Sequence, residues 1–366
     1  MLFSFSLFHK TTLGISLGSS NTYIARHGKG IVLGEPSVVA TDIYNEKVVA
    51  IGDKAKKMIG RAPETISVDR PISGGIISDF DKTVAMLCQY VSRVVQTRIG
   101  ITSAIVVPAA ASSVERRSMR DMAKAAYGSR VVPVDEPIAA ALGCGLDVFS
   151  GRGHIIVDIG GGRTDISVVA NGGVMLARSL SECSGTFDRD IINFVRKNYN
   201  ILIGDGTAED VKKQLGCASD VKNMELMTLN GRHLISGLPE NFVLSSEDVH
   251  QAIASSVRAI VDGIMTVLGK IPPEIASDLI RSKIHLVGGG ALMNQGIHGV
   301  DLLLHLAGPV SRVYARAKTL ARKIEVEDTL SAVVDFESGA IGVIQATTSV
   351  YPGYPRRLEI NGEKGS

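Results

Sequence analysis

Thr12-Leu-Gly-Ile-Ser-Leu-Gly-Ser-Ser-Asn-Thr-Tyr-Ile-Ala25 and His154-Ile-Ile-Val-Asp-Ile-Gly-Gly-Gly-Arg-Thr-Asp-Ile-Ser-Val-Val169 are two versions of one pattern. Each is an apolar run, a tight turn built from Gly, Ser or Thr, and a second apolar run. The first continues through Gly28-Lys-Gly30 into Ile31-Val-Leu33, the second through Asn171-Gly-Gly173 into Val174-Met-Leu176. Aligning Ser16 with Asp158 places Gly18 on Gly160, Thr22 on Thr164 and Gly30 on Gly172. Short β-branched runs punctuated by glycine turns predict strands joined by hairpins. The echo therefore predicts two similar lobes, each opening with a three-stranded β-meander.

Outward from these meanders, helical signals alternate with strand signals. Val84, Leu87, Cys88, Val91 and Val95 recur at helical spacing between Asp81 and Val95. Ser112 and Ser113 supply N-cap residues ahead of a helix from Glu115 to Ala126. Glu136-Pro137 opens an Ala-rich helix, with proline in its first turn. Residues 187–199, 208–215 and 246–268 also read as helices, whereas 101–107 and 284–287 read as buried strands. The alternation makes this an α/β protein. Beyond residue 310 the pattern changes: 310–317, 329–336 and 341–350 alternate around turns, which predicts antiparallel hairpins.

Composition narrows the function classes. The 366 residues suggest two or three domains, and 45% apolar with 21% charged residues excludes a largely disordered chain. Lys and Arg total 39 against 37 Asp and Glu, so no whole-chain attraction for nucleic acid exists and none is expected as a partner. Cys88, Cys144, Cys183 and Cys217 form no CxxC pair, which argues against a zinc site or a disulfide scaffold and fits a reducing cytoplasm. No apolar run is read as reaching the ~20 residues that span a bilayer. The tail, residues 1–10, lacks the basic start and cleavage site of a signal peptide. Leu2, Phe3, Phe5, Leu7 and Phe8, followed by His9 and Lys10, predict a short amphipathic helix in a lipid interface, with a frayed terminus as the plain alternative.

The glycine turns carry the chemistry. Backbone N–H groups and hydroxyls in such turns form concave anion sites suited to a polyphosphate, and duplicated lobes can present two of them across a cleft. Asp158, just before the second turn, is placed to hold a hydrated Mg²⁺. Gly288-Gly-Gly290 after a strand lets a base or ribose approach the backbone closely.

Further stretches resemble the MreB-type bacterial actins across about residues 11–292. They are Gly28-Lys-Gly-Ile-Val-Leu-Gly-Glu-Pro-Ser-Val-Val39, Ala55-Lys-Lys-Met-Ile-Gly-Arg61, Val114-Glu-Arg-Arg117, Asp135-Glu-Pro-Ile-Ala-Ala-Ala141, Asp158-Ile-Gly-Gly-Gly162, Thr207-Ala-Glu-Asp-Val-Lys212, Pro272-Pro-Glu-Ile-Ala-Ser-Asp-Leu-Ile280 and His285-Leu-Val-Gly-Gly-Gly-Ala-Leu292. The resemblance implies an actin-like (ribonuclease H-like) two-lobed ATPase fold, with lobes at 11–147 and 148–292. It implies ATP and Mg²⁺ as ligands, self-assembly into filaments, and a cytoplasmic location, peripheral at the inner membrane among cell-wall synthesis proteins. Gly18, Ser19, Ser20 and Asn21 then match the first phosphate turn, and Gly160, Gly161, Gly162, Arg163 and Thr164 the second. Glu209 and Lys212 match the ribose and adenine neighbours, and Gly288, Gly289 and Gly290 the adenine-side turn. Glu115 matches the glutamate that orients an attacking water, although an acid in a helix's first turn is favoured by the helix dipole in any case.

The chain also departs from that family. Ser16 stands where an Asp is usual, Arg163 where Thr or Ser is usual, and Cys183-Ser-Gly185 where Gly-Gly-Asp is usual. Slow hydrolysis at most is the expectation. After Gly288-Gly-Gly-Ala-Leu292 the text resembles the C-terminal domain of Gfo/Idh/MocA-type oxidoreductases, through Ile324-Glu-Val-Glu-Asp-Thr329 and Gly339-Ala-Ile-Gly-Val-Ile-Gln-Ala-Thr-Thr348. That family's catalytic histidine falls at His298, beside Asp301, but no GxGxxG opens a dinucleotide-binding unit here, so an active dehydrogenase is not expected. Both families share Gly-Gly-Gly-Ala-Leu, and the switch sits inside that string, as in a fusion or a misassembled frame. Residues 293–366 are read as a β-rich appendage. Two other readings stay open: another actin-fold ATPase, chaperone-like or sugar-kinase-like, and an oxidoreductase fragment.

Overall fold

A computed structural model describes residues 11–96, 100–128, 130–218, 221, 224–281 and 284–288, together with the strands 310–318, 329–336 and 341–347. It divides into two units. The first runs to Ala140 and takes in Gly160–Gly162; the second holds Ala141–Ile159 and the chain from Arg163 onward. The division thus falls inside a helix, ahead of the lobe boundary expected at 147.

The first unit opens with the anticipated meander, β1 (Thr11–Leu17), β2 (Asn21–Arg26) and β3 (Gly30–Pro36). A small sheet follows, made of β4 (Val39–Asp42), β5 (Val48–Ile51) and β6 (Ile66–Asp69), with the single turn α1 (Asp53–Lys56). A short ribbon, β7 (Ile72–Ser73) and β8 (Ile76–Ile77), leads into α2 (Phe80–Val94), β9 (Ile101–Val107), α3 (Ser113–Tyr127), β10 (Arg130–Asp135) and α4 (Glu136–Gly143). The main sheet has the order β10-β9-β1-β2-β3, with β9 parallel to both β1 and β10. Leu13, Ile15 and Leu17 alternate inward from β1 and meet Leu87, Tyr90 and Val91 of α2 and Met119 and Met122 of α3 in one core. Each such fully buried aliphatic side chain contributes ~1.5–3 kcal/mol. The helices start where their caps dictate. Asp79 accepts from the Lys82 backbone N–H at the head of α2, and Gly128 ends α3 in the left-handed region.

The second unit repeats the plan. Its meander is β11 (His154–Ile159), β12 (Thr164–Ala170) and β13 (Gly173–Leu180), followed by α5 (Ser184–Tyr199), β14 (Ile201–Leu202) and α6 (Asp205–Leu215). A hairpin, β15 (Leu226–His233) and β16 (Pro239–Ser245), precedes α7 (Ser246–Leu268), α8 (Pro273–Arg281) and β17 (Ile284–Val287). The sheet order is β13-β12-β11-β17, and β17 runs parallel to β11. Every residue of β12 is buried, as a strand covered on both faces requires. The echo holds at the backbone: Gly30 and Gly172, aligned in sequence, take φ of 70° and 74°. That left-handed conformation closes the second turn of each meander and favours glycine over any β-carbon residue.

Helix α7 corrects one expectation. Its 23 residues are long and apolar enough to cross a membrane. However, Val249, Ile253, Ile260, Ile264 and Val267 are buried in the core of the second unit, so the apolar stripe faces protein. The C-terminal hairpins form as anticipated. β18 (Val310–Lys318), β19 (Thr329–Phe336) and β20 (Ile341–Thr347) make an antiparallel sheet in that order. The tail 1–10, His298, Asp301 and the connections within 293–366 lie outside the described residues.

Candidate functional site

The first glycine turn is held from below by buried hydroxyls. Gly18 N–H donates to the Asn21 carbonyl at 3.0 Å, closing the turn between β1 and β2. Ser37 Oγ donates to the Gly18 carbonyl at 2.6 Å and lies 2.9 Å from Thr22 Oγ1, both side chains being fully buried. Ser19 Oγ accepts from the Gly75 backbone N–H at 3.0 Å. Gly160–Gly162 is grouped with this unit because its backbone passes against the same serines. A Cβ on Gly161 would overlap the Ser20 side chain, and one on Gly162 the Ser19 side chain.

The second turn uses the same device. Thr164, aligned with Thr22 and equally buried, donates from Oγ1 to the Glu182 carbonyl at 2.6 Å, just ahead of α5. At the end of β17, Gly288 takes φ of 120°, and a Cβ there would overlap the Ile159 carbonyl and the Asp158 carboxylate. Only glycine lets β17 end so close to β11. The carboxyl ends of these two parallel strands are where an α/β sheet binds its ligand. Gly289 and Gly290 lie outside the described residues.

Register sets the difference between the two meanders. In the first, Ser16 lies opposite Tyr23, and Tyr23 opposite Gly34, whose bare backbone receives the tyrosine ring. In the second, Asp158 lies opposite Asp165, and Asp165 opposite Ser179. Residues directly opposite in an antiparallel ladder share a face, so each trio forms one row. Asp165 is 7% exposed and satisfied twice: Arg163 Nε forms an ion pair with it and Ser179 Oγ donates to it. The Arg163 side chain is itself only 14% exposed. Its position permitted contact with phosphate or an outward orientation; it is instead turned inward onto Asp165.

The remaining candidates sit on helices. Glu115 closes a capping box at the head of α3, its Oε2 accepting from Ser112 N at 2.7 Å and from Ser112 Oγ at 2.9 Å. Next to it, Arg116 pairs with Asp135 at 2.6 Å and ties α3 to the end of β10. On α6, Glu209 pairs with Lys213 at 3.0 Å. Lys212 is 2% exposed. Its Nζ lies 2.7 Å from Asp188 Oδ1 and 3.0 Å from the Ser184 carbonyl, joining α6 to the first turns of α5. Burial pushes the Asp188 carboxyl above the usual range, and Lys212 opposes that shift. Sequence reasoning did not single out Asp165, Ser179 or Asp188. Asp165 was visible as a second acid inside the repeated motif; Ser179 and Asp188 required the register and the helix packing.

A divalent metal fits this row poorly. Of its two carboxylates, Asp165 is already held by Arg163 and Ser179. Among the described residues, no group of three or more His, Cys, Asp or Glu side chains is placed to hold a metal ion.

Comparison with known proteins gives the chain its family. The profile of the MreB/Mbl protein family matches residues 10–307, and that of the GFO/IDH/MocA C-terminal domain matches residues 264–366. The two overlap across 264–307, which contains the shared Gly-Gly-Gly-Ala-Leu string. The cell shape-determining protein Mbl of Bacillus subtilis is 37% identical over 294 residues, covering 80% of this chain and 87% of its own. The cell shape-determining protein MreB of Escherichia coli is 39% identical over 300 residues, covering 80% and 86%. Among solved structures, MreB 5 of Spiroplasma citri bound to AMPPNP superposes with a TM-score of 0.75 at 31% identity, over 81% of this chain and 90% of its own. The ADP-bound form gives 0.74 at 32% identity, over 78% and 87%. The likeness to the MamK double helical filament, at 22% identity and a TM-score of 0.65, concerns the actin-like fold alone. This chain, with an oxidoreductase-like C-terminal segment, belongs to the MreB/Mbl family.

Proposed function

We propose that this chain is an adenine-nucleotide-binding bacterial actin that assembles into filaments and acts in cell shape. The observation that carries the reading is the pair of matched turns, each closed by glycine and anchored by a buried threonine, Thr22 and Thr164. Backbone N–H groups presented by Gly18–Asn21 and Gly160–Thr164 bind the phosphates, and Gly288 gives the nucleoside room at the end of β17. Glu209 and Lys212 stand on the ribose and adenine side, with Lys212 acting through the α5–α6 packing it fixes. Relatives named for cell-shape determination and neighbours bound to ADP and AMPPNP support the reading.

Hydrolysis is slow in this account. Glu115 is the residue to orient a water, and its carboxylate already serves the α3 cap. With an oxidoreductase-like segment following the shared Gly-Gly-Gly-Ala-Leu string, assembly is weaker than in the relatives, and no dehydrogenase activity accompanies it. Partners are further copies of the chain, the cytoplasmic face of the inner membrane through the apolar tail, and cell-wall synthesis proteins. Sedimentation and electron microscopy of the purified chain with ATP or AMPPNP test the reading: nucleotide-dependent filaments support it. A chain that neither binds nucleotide nor pellets with it contradicts it.

A further inference from the structure

We propose that the apolar tail, residues 1–10, packs its side chains onto the outer face of the first unit's main sheet, the face turned away from α2 and α3, and is held there when no lipid is present. The inference goes beyond the membrane role given above to the same tail and does not rest on it.

Three observations carry it. First, that face lacks the cover its topology calls for. β9 runs parallel to both β1 and β10, and parallel strands are ordinarily buried on both faces. In β9, however, Ile101, Ser103, Ile105 and Val107 are buried, while Thr102, Ala104 and Val106 are only half-buried. The interior strand β12 of the second unit is buried along its whole length. Helices α2 and α3 pack on the side that carries Leu13, Ile15 and Ile105. Second, the open face is an apolar trough. Ala104 is in register with Val132 on one side and Gly14 on the other, Gly14 lies opposite Ala25, and Ala25 opposite Ile31. Residues in register share a face, so one row crosses all five strands. Its floor carries nothing larger than a methyl group, and a Cβ on Gly14 would meet that of Ala25 at 3.8 Å. Its rims are larger, Val132 being 43% and Ile31 71% exposed. The floor spans two strand spacings, about 10 Å, the width of one helix. Third, the tail is tethered at this sheet. It joins β1, the middle strand, at Thr11. Leu2, Phe3, Phe5, Leu7 and Phe8 are five large apolar side chains in a stretch too short to hold a helix alone, so they need a surface. Ten residues reach at most ~35 Å, and the five strands span only ~19 Å. Large rings complement a floor of Gly and Ala. The tether also sets a local concentration of roughly millimolar, which a second copy at micromolar concentration does not match.

The chain contains no tryptophan, so Phe5→Trp in the full-length protein gives a single reporter whose emission reads the tail's surroundings. Without lipid, the expected result is blue-shifted emission that acrylamide quenches weakly and that does not change on dilution. Adding Ile31→Asp and Val132→Asp, two exposed positions, puts charge on both rims; the emission should then move to the solvent-exposed wavelength and quenching rise several-fold. Deleting residues 1–10 should speed amide hydrogen exchange in 102–106 and 131–134 and leave 164–170 unchanged, which decides the matter should the rim variant fail to melt cooperatively. Unchanged exchange after the deletion overturns the proposal. So does solvent-like emission from the lipid-free chain, or a blue shift that survives both rim charges. A blue shift that vanishes on dilution assigns the tail to a second copy, and one that appears only with phosphatidylglycerol vesicles assigns it to lipid. Either overturns the proposal, and the second leaves the membrane reading intact.

Discussion

The two meanders share a backbone and differ in chemistry. Both turns are closed by glycine and tethered by a buried threonine, Thr22 through Ser37 and Thr164 to the Glu182 carbonyl. Across the strands, however, the first carries a hydroxyl, an aromatic ring and bare backbone (Ser16, Tyr23, Gly34), and the second carries two carboxylates and a hydroxyl (Asp158, Asp165, Ser179). The difference separates two tasks that one motif could combine. Shaping the turn needs only glycine and a buried hydroxyl, so both copies keep it. Charge is an addition, and it is concentrated in the second copy, where Arg163 is paired with Asp165.

The largest expected effect comes from breaking the charged row. Asp165→Ala breaks the ion pair that the nearly buried Arg163 makes through Nε, which costs about 3–5 kcal/mol. Calorimetric unfolding should show it directly. Changing Arg163 and Asp165 together to small neutral residues should recover most of that loss, because the buried pair itself adds little net stability. The equivalent change in the neutral row, Ser16→Ala, should stay within ~0.5 kcal/mol of the parent.

A smaller effect separates Glu115's two roles. Ser112→Ala removes one half of the capping box and should cost ~1 kcal/mol of stability, read by denaturant melts, with nucleotide affinity unchanged. If nucleotide affinity falls instead, the cap is coupled to the site in a way this account lacks.

The smallest effects distinguish the units by pH. In the first unit, burial raises the Asp69 carboxyl, but hydrogen bonds from Lys82 and Ser67 outweigh it and hold it below 3.8. Its contribution is therefore present above about 3.8 and lost as pH falls through the lowered value. In the second unit, Asp188 is raised above 3.8 by burial, so stability declines as pH rises from 3.8 through the raised value. Asp69→Asn should flatten the acid limb, and Asp188→Asn should remove the opposite slope. Melts across pH 3–7 read both signs.

Much of this was legible in the sequence, for identifiable reasons. The helix at 246–268 and the strands at 101–107 and 284–287 coincide with α7, β9 and β17, because caps, prolines and glycines mark their ends. The starts of α5 and α6 were placed three residues late, since their first turns are polar and carry no apolar periodicity. Strands β4 to β6 and the β15–β16 hairpin were not anticipated. Alternation in Leu226–His233 is blurred by an exposed leucine at 226 and an interior glycine at 231, and its partner strand, not its own pattern, fixes it. At the site, the glycine and threonine positions were readable because they do local work. The inward turn of Arg163 was not, since it depends on a carboxylate two residues on and a hydroxyl from a third strand.

The central proposal is that the glycine turns and the end of β17 bind nucleotide. Hydrogen–deuterium exchange of the full-length chain, with and without AMPPNP, measures it at the amides concerned. The account predicts slowed exchange in 17–22, in 159–164 and at Gly288, with the β15–β16 hairpin unchanged. Protection confined to one turn, or absent from both at saturating nucleotide, would contradict it.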